Sequence, residues 1–382
     1  VDSGGVQVCR LPRCLSYSVG AIEEGWSVRT VMTHLPGEQL DGWLRRWALA
    51  ASDAAAGPSG DAAEPVTWTA LLQRGVALTR RLLLQLGPTL ERMEPLAWHR
   101  DVNSHNILLS DETTSGLLNP MDPAARVAFW LCDLGLAVDS KTWGSEPGGE
   151  GGAWKYTDIG GDCRYWPPSS WMVHCYGPDY LEEREDFCRQ YQTRLDIHGL
   201  GITAVEVLCT TAVAARALGV PPAEPADADR PWLRLMSAWQ EYSESVARWW
   251  ELIYSVFSEG GDFGPVHSWL VREEVPNQVI TLILELREAL HACAAVAEPD
   301  AARVLRAVAE LIDETSALSL GEVASALEED ASERREAGDA ETAEQASPKA
   351  AAKGICAAAA PSQSEEAPLP AQPGAPAKVT SP

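Results

Sequence analysis

The chain reads as mainly α-helical with a few short β-strands, and three observations predict it. Four stretches of the C-terminal half, about 197–217, 232–257, 277–293 and 299–315, carry large apolar residues at helical spacing. In the second, Trp232, Leu235, Trp239, Tyr242, Val246, Trp249 and Ile253 recur at i, i+3 and i+4 intervals, which marks a core-facing stripe rather than a ligand platform. Runs such as Val127 to Leu131 are too short for a helix and fit strands.

Taken in order, residues 38–51 predict a helix, with Leu40, Leu44 and Trp47 on one face. The Ala/Gly/Ser/Asp-rich insert from Ser52 to Glu64 predicts a disordered loop. Helix resumes near Trp68 and passes Leu86, its stripe made of Leu71, Leu72, Val76, Leu82 and Leu83, and Pro88 is expected to bend or end it. Asp111 to Ala125 reads as an insert between two short strands. Gly144 to Gly152 is a glycine-rich loop centre, and 170–192 is an excursion dense in Trp, Tyr and Glu. Pro221 to Asp229 connects two helices, and beyond Glu328 the chain is too poor in large apolar residues to fold alone.

The chemistry concentrates in His99-Arg100-Asp101-Val102-Asn103-Ser104-His105-Asn106, an H-R-D-x-x-x-x-N pattern followed by the apolar run Ile107-Leu108-Leu109. Asp133-Leu134-Gly135 follows the strand Val127 to Leu131. Gly161-Asp162-Cys163-Arg164-Tyr165-Trp166-Pro167-Pro168-Ser169 and Asp196-Ile197-His198-Gly199-Leu200-Gly201 come next in order. Together these segments resemble the eukaryotic protein kinase family: its catalytic loop, its D-F-G, the end of its activation segment and the start of its long buried helix. The resemblance covers about residues 10 to 315 and is strongest from 98 to 208. Within it, D-x-N-S-H-N is similar to the catalytic loop of LIM kinases, near the tyrosine-kinase-like group.

The resemblance implies a kinase-like C-terminal lobe and ATP-dependent phosphoryl transfer to a protein. It implies Asp101 as the catalytic base, with His99, Arg100 and Asn106 completing the catalytic loop, and Asn106 and Asp133 as magnesium ligands. Two protein oxygens plus phosphates and waters suit so hard a cation. Thr30-Val31-Met32-Thr33-His34-Leu35-Pro36-Gly37 resembles the hinge between lobes, which implies a gatekeeper Met32 and adenine contacts from Thr33, Leu35 and Leu108. Asp196 is implied to tie down the catalytic loop. Residues 1–37 are then expected to be a remnant of N-lobe strands and hinge, 38–315 the catalytic lobe, and 316–382 a disordered tail. No G-x-G-x-x-G or strand lysine precedes the hinge, so the chain is expected to be a truncated, poorly soluble product of a longer parent.

Departures from the pattern are informative. Asn103 stands where serine/threonine kinases place a lysine, which removes a point charge from the transferred phosphate. Leu134 replaces Phe, Asp162 replaces Thr, and Ser169 replaces the Glu that anchors the segment's end. Arg100 is of the kind that seeks an anion on the activation segment. Thr142, Ser145, Tyr156 and Thr157 are candidate phosphosites, and Asp158 is a candidate fixed charge.

Composition bounds the partners. The net charge of −25 argues against nonspecific nucleic-acid or anionic-membrane binding and favours a substrate bearing basic residues. From Asp313 onward thirteen acids face five bases, so the remainder is acidic too. No apolar run reaches membrane-spanning length; 197–220 comes closest, interrupted by Glu206 and Arg216. Nine cysteines without zinc-type pairing predict scattered reduced thiols and a cytoplasmic or nuclear setting. Three classes fit: a protein kinase, a pseudokinase or scaffold, and a small-molecule kinase of the aminoglycoside phosphotransferase kind. The last typically carries H-G-D rather than His99-Arg100-Asp101 and ranks lowest. Oligomeric state is not legible.

Overall fold

The apolar stripes become a bundle of helices around one long buried helix, and the short apolar runs become three small sheets. A computed structural model describes residues 9–22, 25–56, 68–112, 126–144, 152–217 and 230–328. The insert 113–125, the loop centre 145–151, the connector 218–229 and the tail from 329 lie outside the described residues.

Strands β1 (Cys14–Ile22) and β2 (Gly25–Met32) form an antiparallel hairpin. β3 (Glu38–Gln39) leads into α1 (Leu40–Ala56), where Leu40, Leu44 and Trp47 are buried as their spacing predicts. The helix continues to Ala56, so residues 52–56 are helical where a disordered loop was expected; 57–67 lie outside the described residues. Five further residues of helix follow Pro88 in α2 (Trp68–Met93), against the expected bend or stop. One lost backbone donor is outweighed by continued burial of Leu86, Leu90 and Met93. Val76, Leu82 and Leu83 are buried as expected.

β5 (Ile107–Asp111) and β6 (Val127–Leu131) pair antiparallel, Ile107 opposite Leu131, and β3 pairs with the other edge of β5. β4 (Ala97–Trp98), which leads into the loop 99–106, pairs antiparallel with β7 (Val138–Asp139), and α3 (Ser140–Gly144) follows. The excursion 170–192 resolves into α4 (Pro168–Tyr176), α5 (Asp179–Glu182) and α6 (Glu185–Thr193). These pack a second apolar cluster in which Trp98, Trp143, Trp154, Met172, Leu181 and Tyr191 are buried.

α7 (Leu195–Ala217) is the axis of the fold, buried all round from Leu200 to Cys209 apart from half-buried Glu206. α8 (Arg230–Glu259), α10 (Val275–Val296) and α11 (Pro299–Leu311) complete the bundle near their predicted positions. α9 (Gly264–Arg272) was not legible, because only Leu270 of it is fully buried and its apolar pattern is correspondingly thin. The core also extends past residue 315: 320–328 is helical and buries Leu320, Val323 and Leu327. The eight cysteines among the described residues are free. Among those residues no helix is long and apolar enough to cross a membrane.

Candidate functional site

The loop 99–106 has almost no secondary structure of its own, so its shape is imposed from elsewhere. Asp196, in the first turn of α7, is the chief cause: its carboxylate accepts the backbone N–H groups of His99 and Arg100, each at 2.7 Å. Burial pushes the Asp196 carboxyl up, and those two N–H groups and the Arg100 guanidinium oppose the shift. A buried carboxylate costs several kcal/mol, and charge-assisted bonds of about 1.5–3 kcal/mol each offset most of it. The resulting clamp holds Arg100 at φ 67°, a conformation non-glycine residues seldom adopt. His99 is buried, donates from Nε2 to the carbonyl of Cys132 at 3.0 Å, and accepts the Asp101 N–H at Nδ1 at 3.3 Å.

Asp101 accepts three donors. Its Oδ1 accepts from Asn103 Nδ2 at 2.7 Å and from the Asp162 N–H at 3.0 Å, and its Oδ2 accepts from Asn106 Nδ2 at 2.8 Å. Asn103, fully buried, also accepts the N–H groups of His105 and Asn106 on its own Oδ1. The Asn103 amide therefore orients the carboxylate without adding charge. Gly161 lets the segments approach this closely: at φ 86°, a Cβ there would lie 2.7 Å from Asp101 Oδ1.

Asp133 joins the group through its neighbour, since the Cys132 N–H donates to the carbonyl of Asn106 at 2.9 Å. It too is held at positive φ, 61°, with Oδ1 taking the Gly135 N–H at 3.1 Å. Burial raises the Cys132 thiol, with the Asp133 charge adding to it, so this sulfur is a poor nucleophile. The sequence-predicted residues thus divide. His99, Arg100, Asp101 and Asn106 are gathered by hydrogen bonds, and Asp133 adjoins them through Cys132. Met32, 49% exposed at the end of β2, and Thr33 belong to the hairpin, where the Thr33 N–H donates to the carbonyl of Arg13. Leu35 is half-buried in the segment between hairpin and β3, and Leu108 is half-buried on β5 opposite Trp130. No hydrogen bond among the described residues ties Met32, Thr33 or Leu35 to the cluster.

Arg100 is held by a backbone carbonyl and an aromatic face. Its Nη2 donates to the backbone carbonyl of Asp158 at 2.6 Å, and its guanidinium stacks 4.8 Å from the ring centre of Trp143. Burial lowers its pKa, and Tyr191, Asp196 and Asp158 pull the other way. The Trp143 face supplies roughly 0.5–2 kcal/mol of cation–π attraction. Trp143 and Tyr191 were missed in the sequence, where each reads as an ordinary core aromatic.

A second set of contacts continues outward from Asp101. Arg164 pairs with Asp162 at 2.5 Å and approaches His105 Nε2 at 2.8 Å, and His105 Nδ1 lies 3.1 Å from the Asp41 carboxylate. Arginine only donates, so Nε2 accepts and Nδ1–H donates to Asp41: the imidazole is neutral here. The Asp41 hydrogen bond raises the His105 pKa, against burial and Arg164. Burial alone would raise Asp41 too, but hydrogen bonds from His105 and Arg45 carry it down to about 2. Beneath, Tyr165 donates to Glu206 of α7 at 2.8 Å and shares a 2.8 Å bond with Ser104. At the far end of the segment, Gln190 Oε1 accepts the Ser169 N–H at 3.2 Å.

A scan against protein-family models and a search of curated proteins each find no match to this chain.

Proposed function

We propose that the described lobe is kinase-like and serves ATP-dependent transfer of a phosphoryl group to a protein. The observation that carries the reading is the single cluster of Asp101, Asn106 and Asp133, clamped from below by buried Asp196. Phosphoryl transfer asks for positioning and charge neutralisation, and this cluster is built for position. Asp101 takes the hydroxyl proton of the acceptor residue, its carboxylate held in one rotamer by Asn103 and Asn106.

The donor set suits a hard divalent cation. Asn106 spends its amide N–H groups on Asp101, and Asp133 uses Oδ1 for Gly135, which leaves Asn106 Oδ1 and Asp133 Oδ2 for magnesium. Magnesium bound there neutralises phosphate charge and orients the nucleotide. Met32, Thr33, Leu35 and Leu108 take the adenine in this reading. The net charge of −25 favours substrates with basic residues near the acceptor.

One observation favours a second reading, a partner-binding scaffold. Both oxygens of Asp101 are engaged by protein donors, and a neutral amide stands at Asn103 where a cation would help the transferred phosphate. Magnesium-dependent ATP binding and phosphate incorporation, measured beside Asp133→Ala, separate the two. Incorporation that disappears in the variant supports phosphotransfer. A folded protein with neither binding nor incorporation supports the scaffold.

A further inference from the structure

α8 is longer than the core it packs against. Thirty residues span about 45 Å, and the buried stripe of Leu235, Tyr242, Val246 and Trp249 ends well before the helix does. Beyond it the helix keeps presenting large apolar side chains, now to solvent. Trp250 is half-buried, Tyr254 is 52% exposed and Phe257 70% exposed. Their i, i+4, i+7 spacing puts them on one face, and the rings of Trp250 and Tyr254 stack at 5.3 Å. Phe263, just past the helix, is 40% exposed. Single exposed apolar residues are ordinary, but a continuous aromatic stripe marks an interaction surface.

The stripe starts at the candidate site. Trp250 lies under the Arg164 guanidinium, 5.7 Å from its ring centre, and Arg164 holds Asp162, whose N–H donates to Asp101. From there it runs outward for about 10 Å along the helix. Glu251 is exposed beside it and Asp262 is exposed just past the helix end, and 249–263 contains no lysine or arginine. A second copy would bring the same acidic rim and another −25 charges, and an anionic membrane would be repelled likewise.

We propose that the C-terminal end of α8 docks a basic segment bearing large apolar residues, carried by the protein substrate and lying along the stripe away from the acceptor hydroxyl. That the bound protein is the substrate rests on the phosphotransfer reading; the docking surface itself does not. The test is fluorescence anisotropy with a short labelled peptide holding Leu and Phe anchors among Arg and Lys, and a control peptide with Glu at the basic positions. The expected result is binding of the basic peptide alone, weakened roughly tenfold or more by Tyr254→Ser with Phe257→Ser. Glu251→Lys with Asp262→Lys should weaken it as well and flatten its salt dependence, and Asp101→Asn should leave it unchanged. Both stripe positions are solvent-facing, and a circular dichroism melt verifies that the variants fold. Equal binding by the wild type and the Ser variant overturns the proposal. So does a wild-type dimer in sedimentation that the Ser variant converts to monomer, because a second copy would then be the occupant. Docking that persists where no phosphate is incorporated supports the surface and removes only the phosphotransfer reading.

Discussion

The loop 99–106 and the β1–β2 hairpin solve the same problem, how to hold a few backbone groups in place, in opposite ways. In the hairpin the partners are local: Tyr17 pairs with Thr30 and Val19 with Val28 in a ladder that is regular from Ser16 to Ile22, past a bulge between Cys14 and Ser16. Its side chains find little else, for Leu15, Tyr17, Val19, Val28, Val31 and Met32 are all about half exposed or more. In the loop the ladder is absent and the partners are distant. His99 and Arg100 depend on Asp196, nearly a hundred residues away, and Asp101 depends in part on Asp162. A two-stranded ribbon with open edges is marginal in water, whereas a loop wired into a buried helix is as stable as the lobe. Any chemistry needing fixed geometry belongs with the second arrangement.

The largest expected effect strikes the wiring. Asp196→Ala strands the N–H groups of His99 and Arg100 in a buried site and should cost about 3–5 kcal/mol in urea unfolding. A cost below about 1 kcal/mol would mean the loop holds its own shape.

Next comes acid, which should weaken the lobe through imidazoles that burial keeps neutral. His174 is lowered to about 4, by burial first and His267 second, and His198 to about 3, by burial first and Arg194 second. Unfolded, both protonate near 6.5. Their contribution is therefore complete above that pH and drains away as pH falls toward 4 and then 3, by roughly 3 kcal/mol or more for each ring. Thermal melts from pH 7 to pH 4 should record the decline. His198→Phe, which removes a buried ring with neither nitrogen partnered, should raise Tm and shallow the slope. An unchanged slope in that variant would show that His198 is not the group titrating. The hairpin 14–32 holds no histidine and should not contribute.

The smallest effect is expected on the hairpin. Tyr17→Ser and Val19→Thr touch side chains already 72% and 54% exposed and should move stability by no more than about 0.5 kcal/mol. They should reduce aggregation on concentration instead, read by light scattering. A loss of several kcal/mol would mean that this face packs against something the contrast leaves out.

Much of the architecture was legible because burial leaves a period in the residues. The stripes of α1, α2 and α8, and the strand Val127–Leu131, appear where spacing put them. Errors fall where burial is thin or continues past a local signal. α9 has a single fully buried residue, α2 runs through Pro88, and the core reaches Leu327 although the lobe was expected to end at residue 315. The candidate site was legible at Asp101, Asn106 and Asp133 because carboxylates and an amide at that spacing are rarely needed for packing. Trp143 beneath Arg100, and Asn103 as the donor that sets Asp101, carried no comparable signal, since aromatics and loop amides have many other uses.

By itself the sequence determined the helical class, the order of the elements and the polar residues that gather around Asp101. Periodicity and residue chemistry are local properties that survive without a fold. Only the tertiary structure decided that Arg100 rests on a tryptophan face and a carbonyl. It alone decided that Asp101 is shared among Asn103, Asn106 and Asp162, and that the aromatic stripe of α8 outruns its core to emerge beside Arg164. Each of these depends on which distant segments come within hydrogen-bond or van der Waals reach, a property of the packed chain that no local pattern encodes.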